Sequence, residues 1–212
     1  LASLTTVGGT VSVGGDVTTT GNQSFGGEAT IAGDTTFTGD DVSISGLKGG
    51  GFNVDFSATS TTLDANAYSV ANVANLNVSG DVGLNGTIAT TGNQSYGGDV
   101  GLLGNTTLTA GAGAISLGTD GDVEGASHTL TLGDANQTGD VTLGGGSTVT
   151  LGDLNVAAGN FNLAITAGAG KAVTVSMPVD ILSTGDLTVT TASNDIDSVV
   201  LFERGLNATA PS

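Results

Sequence analysis

The residues best able to do chemistry in this 212-residue chain are its carboxylates. Of 20 acids, 17 are Asp, and most stand beside Gly in short polar stretches. Asp34, Asp40, Asp41, Asp120 and Asp122 are the candidate ligands for a calcium ion, because carboxylates and turn carbonyls together suit a hard cation. Asp134 and Asp153 lie in similar turns. Calcium is the one cofactor these residues point to, and nothing in the pattern requires it. In a coiled chain, equivalent Asp residues on successive coils come within about 5 Å and repel by roughly 0.8 kcal/mol in water. A divalent ion would reverse that sign. The Gly-Gly-x-Gly-x-Asp nonapeptide of calcium-loaded β-rolls is absent, however, and the Asp spacing is irregular. Asp as a turn former that keeps the chain in solution is the competing reading.

Other chemistry is sparsely supplied, and the chain is not expected to be an enzyme. His128 is the only histidine and opens a strand-like run as an exposed spacer would. There is no Cys, and no G-x-S-x-G elbow surrounds a nucleophile. A polysaccharide-degrading β-helix enzyme stays as an alternative through paired Asp residues. It lacks aromatic platforms for sugar stacking, with no Trp, 2 Tyr and 6 Phe, and it lacks cations to stabilise a developing anion. Lys48, Lys171 and Arg204 are the only fixed positive charges against a net charge of −17, which excludes nucleic acid as a partner. No apolar run is long enough to span a bilayer.

Thr supplies a further alternative. Thr-x-Thr occurs at Thr18/Thr20, Thr36/Thr38, Thr107/Thr109, Thr129/Thr131, Thr148/Thr150 and Thr188/Thr190. The steps from Thr107 to Thr129 and from Thr129 to Thr148 are each near one coil. Stacked Thr pairs of this kind resemble ice-binding β-solenoids, although Thr also suits the wet side of any strand. The sequons at Asn22, Asn77, Asn93 and Asn105 are given no role.

The elements that must hold these groups are short strands. Thr10–Val13, Val42–Ser45, Leu76–Val78, Thr129–Leu132 and Leu187–Thr190 alternate in polarity, as strands with one buried face do. Gly-Asp, Gly-Gly and Gly-Asn between them supply turns. No helical stretch is convincing; Asp64–Asn75 comes nearest, and Val70 and Val73 there sit in a strand-like context. The unit TGNQSFGG at Thr20–Gly27 returns as TGNQSYGG at Thr91–Gly98, and the two align onward through Thr38 and Thr109. A weaker echo is Gly139–Leu143 followed by Thr148–Thr150. Asp81, Asp99, Asp122 and Asp140 are each followed by Val and act as a ruler. Asp81 to Asp122 and Asp99 to Asp140 are equal intervals, and Asp140 to Asp180 nearly matches them. Each such interval holds two units. Coils of about 20 residues follow, which predicts an all-β single-stranded parallel β-helix, a β-solenoid of roughly 10 coils. Leu, Val, Ile, Phe25 and Tyr96 are expected inside, with Thr, Ser, Asn and Asp outside.

The solenoid domain is read as residues 1–190 and a capping or subunit-linking tail as 191–212. Val199, Val200, Leu201 and Phe202 in that tail are the candidate assembly residues, because a solenoid end is unpaired strand edge. The first coil begins at once with strand-like residues and no cap, so end-to-end self-association, or continuation of a longer chain, is expected. The 71-residue offset between Thr20 and Thr91 exceeds three coils by about ten. The excess is assigned to Leu47–Phe56, LKGGGFNVDF, as a loop leaving the rod.

The run Q-x-[FY]-x-x-x-V-x-L followed by T-T-L-T, at Gln94–Thr109 and in variant form at Gln23–Thr38, resembles the repeats of large bacterial surface adhesins. These are the filamentous-haemagglutinin-like proteins and related autotransporter passengers. The resemblance covers most of residues 10–190. It implies a right-handed parallel β-helix, export to the bacterial surface or beyond, and a role in adhesion or extracellular filament and biofilm structure. A host or surface glycan receptor is the partner it implies. The family's amino-terminal secretion domain and a recognisable receptor-binding module are not among these residues.

Overall fold

The alternation does produce strands, and the strands do coil. The computed structural model describes residues 1–145, 148–167, 171–176, 179–191, 199–202 and 206–208, with side chains through residue 190 except Asp180. These residues form a parallel β-solenoid of about 9 turns of roughly 21 residues, with no helix among them. Each turn lays down three strands, and every strand pairs in parallel with its equivalent one turn on. Three sheets result. The first runs from Leu4–Thr6 through Gln23–Phe25 to Ala172–Val175 and Val199–Phe202. The second runs from Val11–Val13 through Ala29–Ile31 to Val179–Ile181 and Leu206–Ala208. The third runs from Val17–Thr18 through Thr35–Gly39 to Leu187–Thr191. The first corner joins sheets one and two, the second joins two and three, and the third leads to the next turn. Some strands, such as Asp81–Thr90 and Val100–Thr109, turn the first corner without a break.

Coil length is not constant. Leu4 pairs with Gln23 and Val11 with Ala29, so the first coil advances the chain by 19 on one sheet and 18 on the next. Ala172 pairs with Val199 and Val179 with Leu206, both offsets of 27. The added length lies mostly at corners. The second corner is Gly14–Asp16 in the first coil and the much longer Gly133–Asp140 in the seventh.

Inside, alternate side chains stack coil upon coil. One column of the third sheet reads Val17, Phe37, Phe56, Val78, Tyr96, Leu117, Leu143, Ile165. Phe37 and Phe56 stack with centroids 5.1 Å apart, and Phe25 meets Phe37 edge-on at 5.4 Å. Such pairs add about 0.5–1.5 kcal/mol beyond the burial itself. A column of the first sheet reads Val42, Thr61, Val82, Val100, Val123. The Thr61 hydroxyl is fully buried there and has no partner. Thr61→Val is therefore expected to stabilise the fold by about 1–2 kcal/mol, since it removes an uncompensated desolvation at nearly constant shape. Urea unfolding checks it, and an unchanged midpoint would refute it.

Two sequence expectations change here. Leu47–Phe56 is not a loop leaving the rod. Leu47–Lys48 pairs with Ala29–Thr30 on one side and Val70–Ala71 on the other, and Val54 pairs with Thr35 and Leu76. The three glycines make a second corner, with Gly50 and Gly51 at φ of 60° and 83°. The 71-residue offset has another cause. Gln23 belongs to the first sheet and Gln94 to the third, so the two copies are separated by three turns and two faces.

Candidate functional site

The third corner gathers much of the acid. Asp41, Ser60 and Asp81 stand in register on successive coils, followed by Asp99 and Asp122. Each carboxylate of the later run reaches one coil ahead. Asp81 Oδ1 accepts the Asp99 backbone N–H at 3.0 Å, Asp99 accepts that of Asp122 at 2.8 Å, and Asp122 that of Thr148 at 2.8 Å. The second corner does the same with mixed Asp and Asn. Asp34 accepts the Asn53 N–H, Asn75 that of Asn93, Asn93 that of Ala114, Asp140 that of Asn162, and Asn162 that of Asp186. Asp and Asn are thus neither purely local turn formers nor free surface charge: they join one coil to the next. Local Asx turns occur as well, at Asp64 and Asp134. Charge-assisted bonds to N–H offset the repulsion of stacked carboxylates, and Lys171 adds an ion pair to Asp122 at 3.7 Å.

This arrangement sorts the candidate calcium ligands. Asp34 lies on the second corner, while Asp40 and Asp41 lie on the third corner between the second and third coils. Asp120 and Asp122 lie on that same corner four coils later, about 19 Å along the rod at the usual strand spacing. Among the described residues no three His, Cys, Asp or Glu side chains group as metal ligands. The spacing ruler also divides. Asp81, Asp99 and Asp122 form one stack, whereas Asp140 belongs to the second corner and pairs onward toward Asn162 and Asp186. Asp180 stands inside a strand of the second sheet.

The Thr pairs do not make one array. Thr18, Thr36, Thr38, Thr188 and Thr190 are on the third sheet, Thr107, Thr109, Thr129 and Thr131 on the second, and Thr150 on the first. Thr107 stacks on Thr131, while Thr129 stacks on Asp153. Near-equal spacing in sequence joins residues that face different ways.

A cleft adjoins the acidic corner. Gly101, Leu102, Glu124–His128 and Thr150 enclose about 440 Å³ at the outer side of the first corner. Next to it, His128, Thr129, Gly152 and Asp153 line a shallower hollow of about 270 Å³. Gly125, buried beside it, has no room for a side chain: a Cβ there would lie 2.5 Å from the Leu102 side chain. His128 is half-buried in the cleft wall rather than a fully exposed spacer. No spacing signal in the sequence distinguishes Glu124.

Sequence reading also missed the most ordered polar feature. Gln23, Gln94 and Gln137 are 1%, 1% and 0% exposed. Gln23 Nε2 donates to the carbonyls of Val17 and Thr38, which belong to successive coils, and to the Thr19 hydroxyl. Gln94 Nε2 repeats this toward Ile88, Thr109 and Thr90 on a different corner. Gln137 donates to the Gly113 and Gly139 carbonyls and accepts the Ala110 N–H. The signal was present, because both copies read Thr-Thr-Gly-Asn-Gln-Ser and then an aromatic.

Val199–Phe202, the candidate assembly residues, continue the first sheet by pairing with Ala172–Val175. Their side chains lie outside the described residues. Comparison with protein-family models, curated proteins and solved structures finds no match to this chain.

Proposed function

We propose that this chain is a structural and adhesive rod segment of a bacterial extracellular surface, either part of a large secreted adhesin or a filament subunit. The observation that carries this reading is the coil-to-coil bonding of the outer corners. Asp and Asn side chains tie successive turns along two edges, and buried Gln ties them from within. Such bonds resist separation along the rod axis, which is the direction in which a surface fibre is loaded. The three long sheets present mostly Thr, Ser, Asn and Asp outward, a surface suited to polar partners such as glycans. The resemblance to filamentous-haemagglutinin-like repeats points the same way.

Beads coated with the chain test the adhesive part, by their retention on glycan-bearing and bare surfaces in flow, with and without millimolar calcium. Retention on a glycan surface is the expected result, and calcium dependence would assign the Asp corners a ligand role. Equal retention of coated and uncoated beads on every surface would refute adhesion and leave a spacer.

A further inference from the structure

We propose that a groove crossing the outer face of the first sheet at Gly101, Glu124 and His128 binds an amino-sugar glycan through its free ammonium and hydroxyl groups. The proposal deepens the adhesive reading above and rests on it for a glycan over other basic ligands.

Three hollows join to make the groove. The cleft of about 440 Å³ shares Gly101 and Glu124 with a smaller hollow of about 150 Å³ beside Asp99 and Asp122. At its other end it shares Ala126–His128 with the hollow of about 270 Å³ beside Gly152 and Asp153. The groove thus follows the strand direction from the third corner to the first, roughly 20 Å at the usual rise per residue. That length suits an oligosaccharide and not a single sugar.

A local departure from the regular coil creates it. Gly101, Glu124 and Thr150 stand in register on the outer row of the first sheet. Gly101 leaves the floor bare: a Cβ there would meet nothing closer than the Val82 carbonyl oxygen at 4.0 Å. One coil back, the Leu103 side chain closes the slot over Gly83, 2.7 Å from where a Cβ would lie. The open floor therefore starts at Gly101. The wall is a bulge. Ala126, Ser127 and His128 stand against Gly152 alone in the next coil, and the register shifts on the preceding side as well. Bulges of this kind re-aim side chains away from the ladder. The polar groups so aimed are unspent. Asp81, Asp99 and Asp122 bond the next coil, whereas Glu124, Ser127, His128 and Thr150 make no side-chain hydrogen bond among the described residues. Glu28, by contrast with Glu124, is paired with Lys48 at 3.1 Å.

Shape and charge choose the ligand. The strands beneath the groove are paired on both sides, so no backbone edge is open to an added peptide strand. Asp99, Asp122, Glu124 and Asp153 line it. Among the described residues Lys171, 3.7 Å from Asp122, is the only cation paired with any of them. Sulfated and uronic glycans are therefore repelled. No Phe or Tyr is among the lining residues, so a neutral sugar finds no stacking platform. An ammonium on the sugar supplies the attraction that stacking would give. It makes charge-assisted bonds to the carboxylates, while ring hydroxyls bond Ser127, His128 and Thr150.

Calorimetry of the purified 212-residue chain with a glucosamine oligomer, its N-acetylated counterpart and an oligogalacturonate tests this. Binding of the glucosamine oligomer alone is the expected result. Gly101→Val fills the floor, and Glu124→Gln removes the central carboxylate at nearly constant shape. Each should weaken binding about tenfold with an unchanged circular dichroism spectrum. Asp55→Asn removes the same charge from the outer face of the third sheet and should leave the affinity unchanged. An equal loss in Asp55→Asn, or equal affinity for a lysine oligomer of the same charge, would overturn the proposal in favour of attraction to the whole rod. Equal binding of the acetylated or the galacturonate oligomer, or no binding of any, would overturn it as well. Retention of coated beads on a glucosamine-polymer surface that survives Gly101→Val would overturn the groove and leave the adhesive reading standing.

Discussion

Gln94→Leu should lower unfolding stability by about 3 kcal/mol or more, and it should cost more than Gln23→Leu. The first loss is shared: removing Nε2 takes a donor from carbonyls of two successive coils and from a threonine hydroxyl, and each lost bond costs about 0.5–1.5 kcal/mol. The second loss is particular to Gln94. Its Oε1 accepts the Tyr96 hydroxyl at 3.0 Å, and that hydroxyl is fully buried. At the equivalent position the first copy has Phe25, and Gln23 Oε1 is left without a partner. Gln23→Leu therefore relieves one orphan while losing three hydrogen bonds. Urea unfolding of the two variants side by side checks the order, and equal losses would show that the Tyr96 bond contributes nothing.

The same bond has a pH signature. Burial pushes the Tyr96 hydroxyl far above the ordinary phenol range. In the unfolded chain it ionises near pH 10, so above that value the unfolded state binds fewer protons than the folded one. The stability contributed by this group is complete below about pH 10 and falls by roughly 1.4 kcal/mol per pH unit above it. Tyr96→Phe should remove that part of the slope while costing about 1–2 kcal/mol at neutral pH, because Gln94 Oε1 then loses its donor.

The second large effect is expected at Gly113. Glycines stack on glycines at the corners: Gly92, Gly113 and Gly139 at the second, and Gly80, Gly98 and Gly121 at the third. A Cβ on Gly113 would lie 2.1 Å from the Gly92 carbonyl carbon, and one on Gly139 would lie 2.0 Å from the Gly113 oxygen. The φ angles of these residues are not in the left-handed region, so the demand is for space and not for conformation. The atoms in the way are backbone and cannot rotate aside. Gly113→Ala is expected to cost about 3 kcal/mol, at the upper end of overpacking effects. Gly15→Ala provides the contrast, since nothing lies within 4 Å of its added carbon. It should be neutral or slightly stabilising, because Ala restricts the unfolded chain. Similar melting temperatures for the two variants would refute the stacking account.

These residues show what the sequence could reveal and what it could not. Val42-Ser43-Ile44 and Leu187-Thr188-Val189 were legible as strands because alternation is local. The length of a coil was legible from Asp81, Asp99 and Asp122, which do stack. Phase was not. One interval between Asp residues returns to the same corner, as from Asp99 to Asp122, and the next lands on another, as from Asp122 to Asp140. Corner lengths vary, and only the pairing of backbone with backbone fixes which residues share a face. The Thr array and the supposed loop at Leu47–Phe56 failed for that one reason. Gln23 and Gln94 were hidden differently. Between Asn and Ser, a Gln reads as solvent-exposed, and its burial depends on carbonyls 6 residues before it and 15 after it.

The duplicated Gln corner has an evolutionary and engineering meaning. Its donors and acceptors come from the corner itself and the coil beside it, so the motif carries its own fastening wherever it is placed. One copy turns the chain from the third sheet to the first, and the other from the second to the third. A duplication need not return to the azimuth it left, nor span a whole number of turns, to remain compatible with the rod. Length can thus be added in fractions of a turn, with outward features rotated to a new side of the fibre while its interior stays continuous.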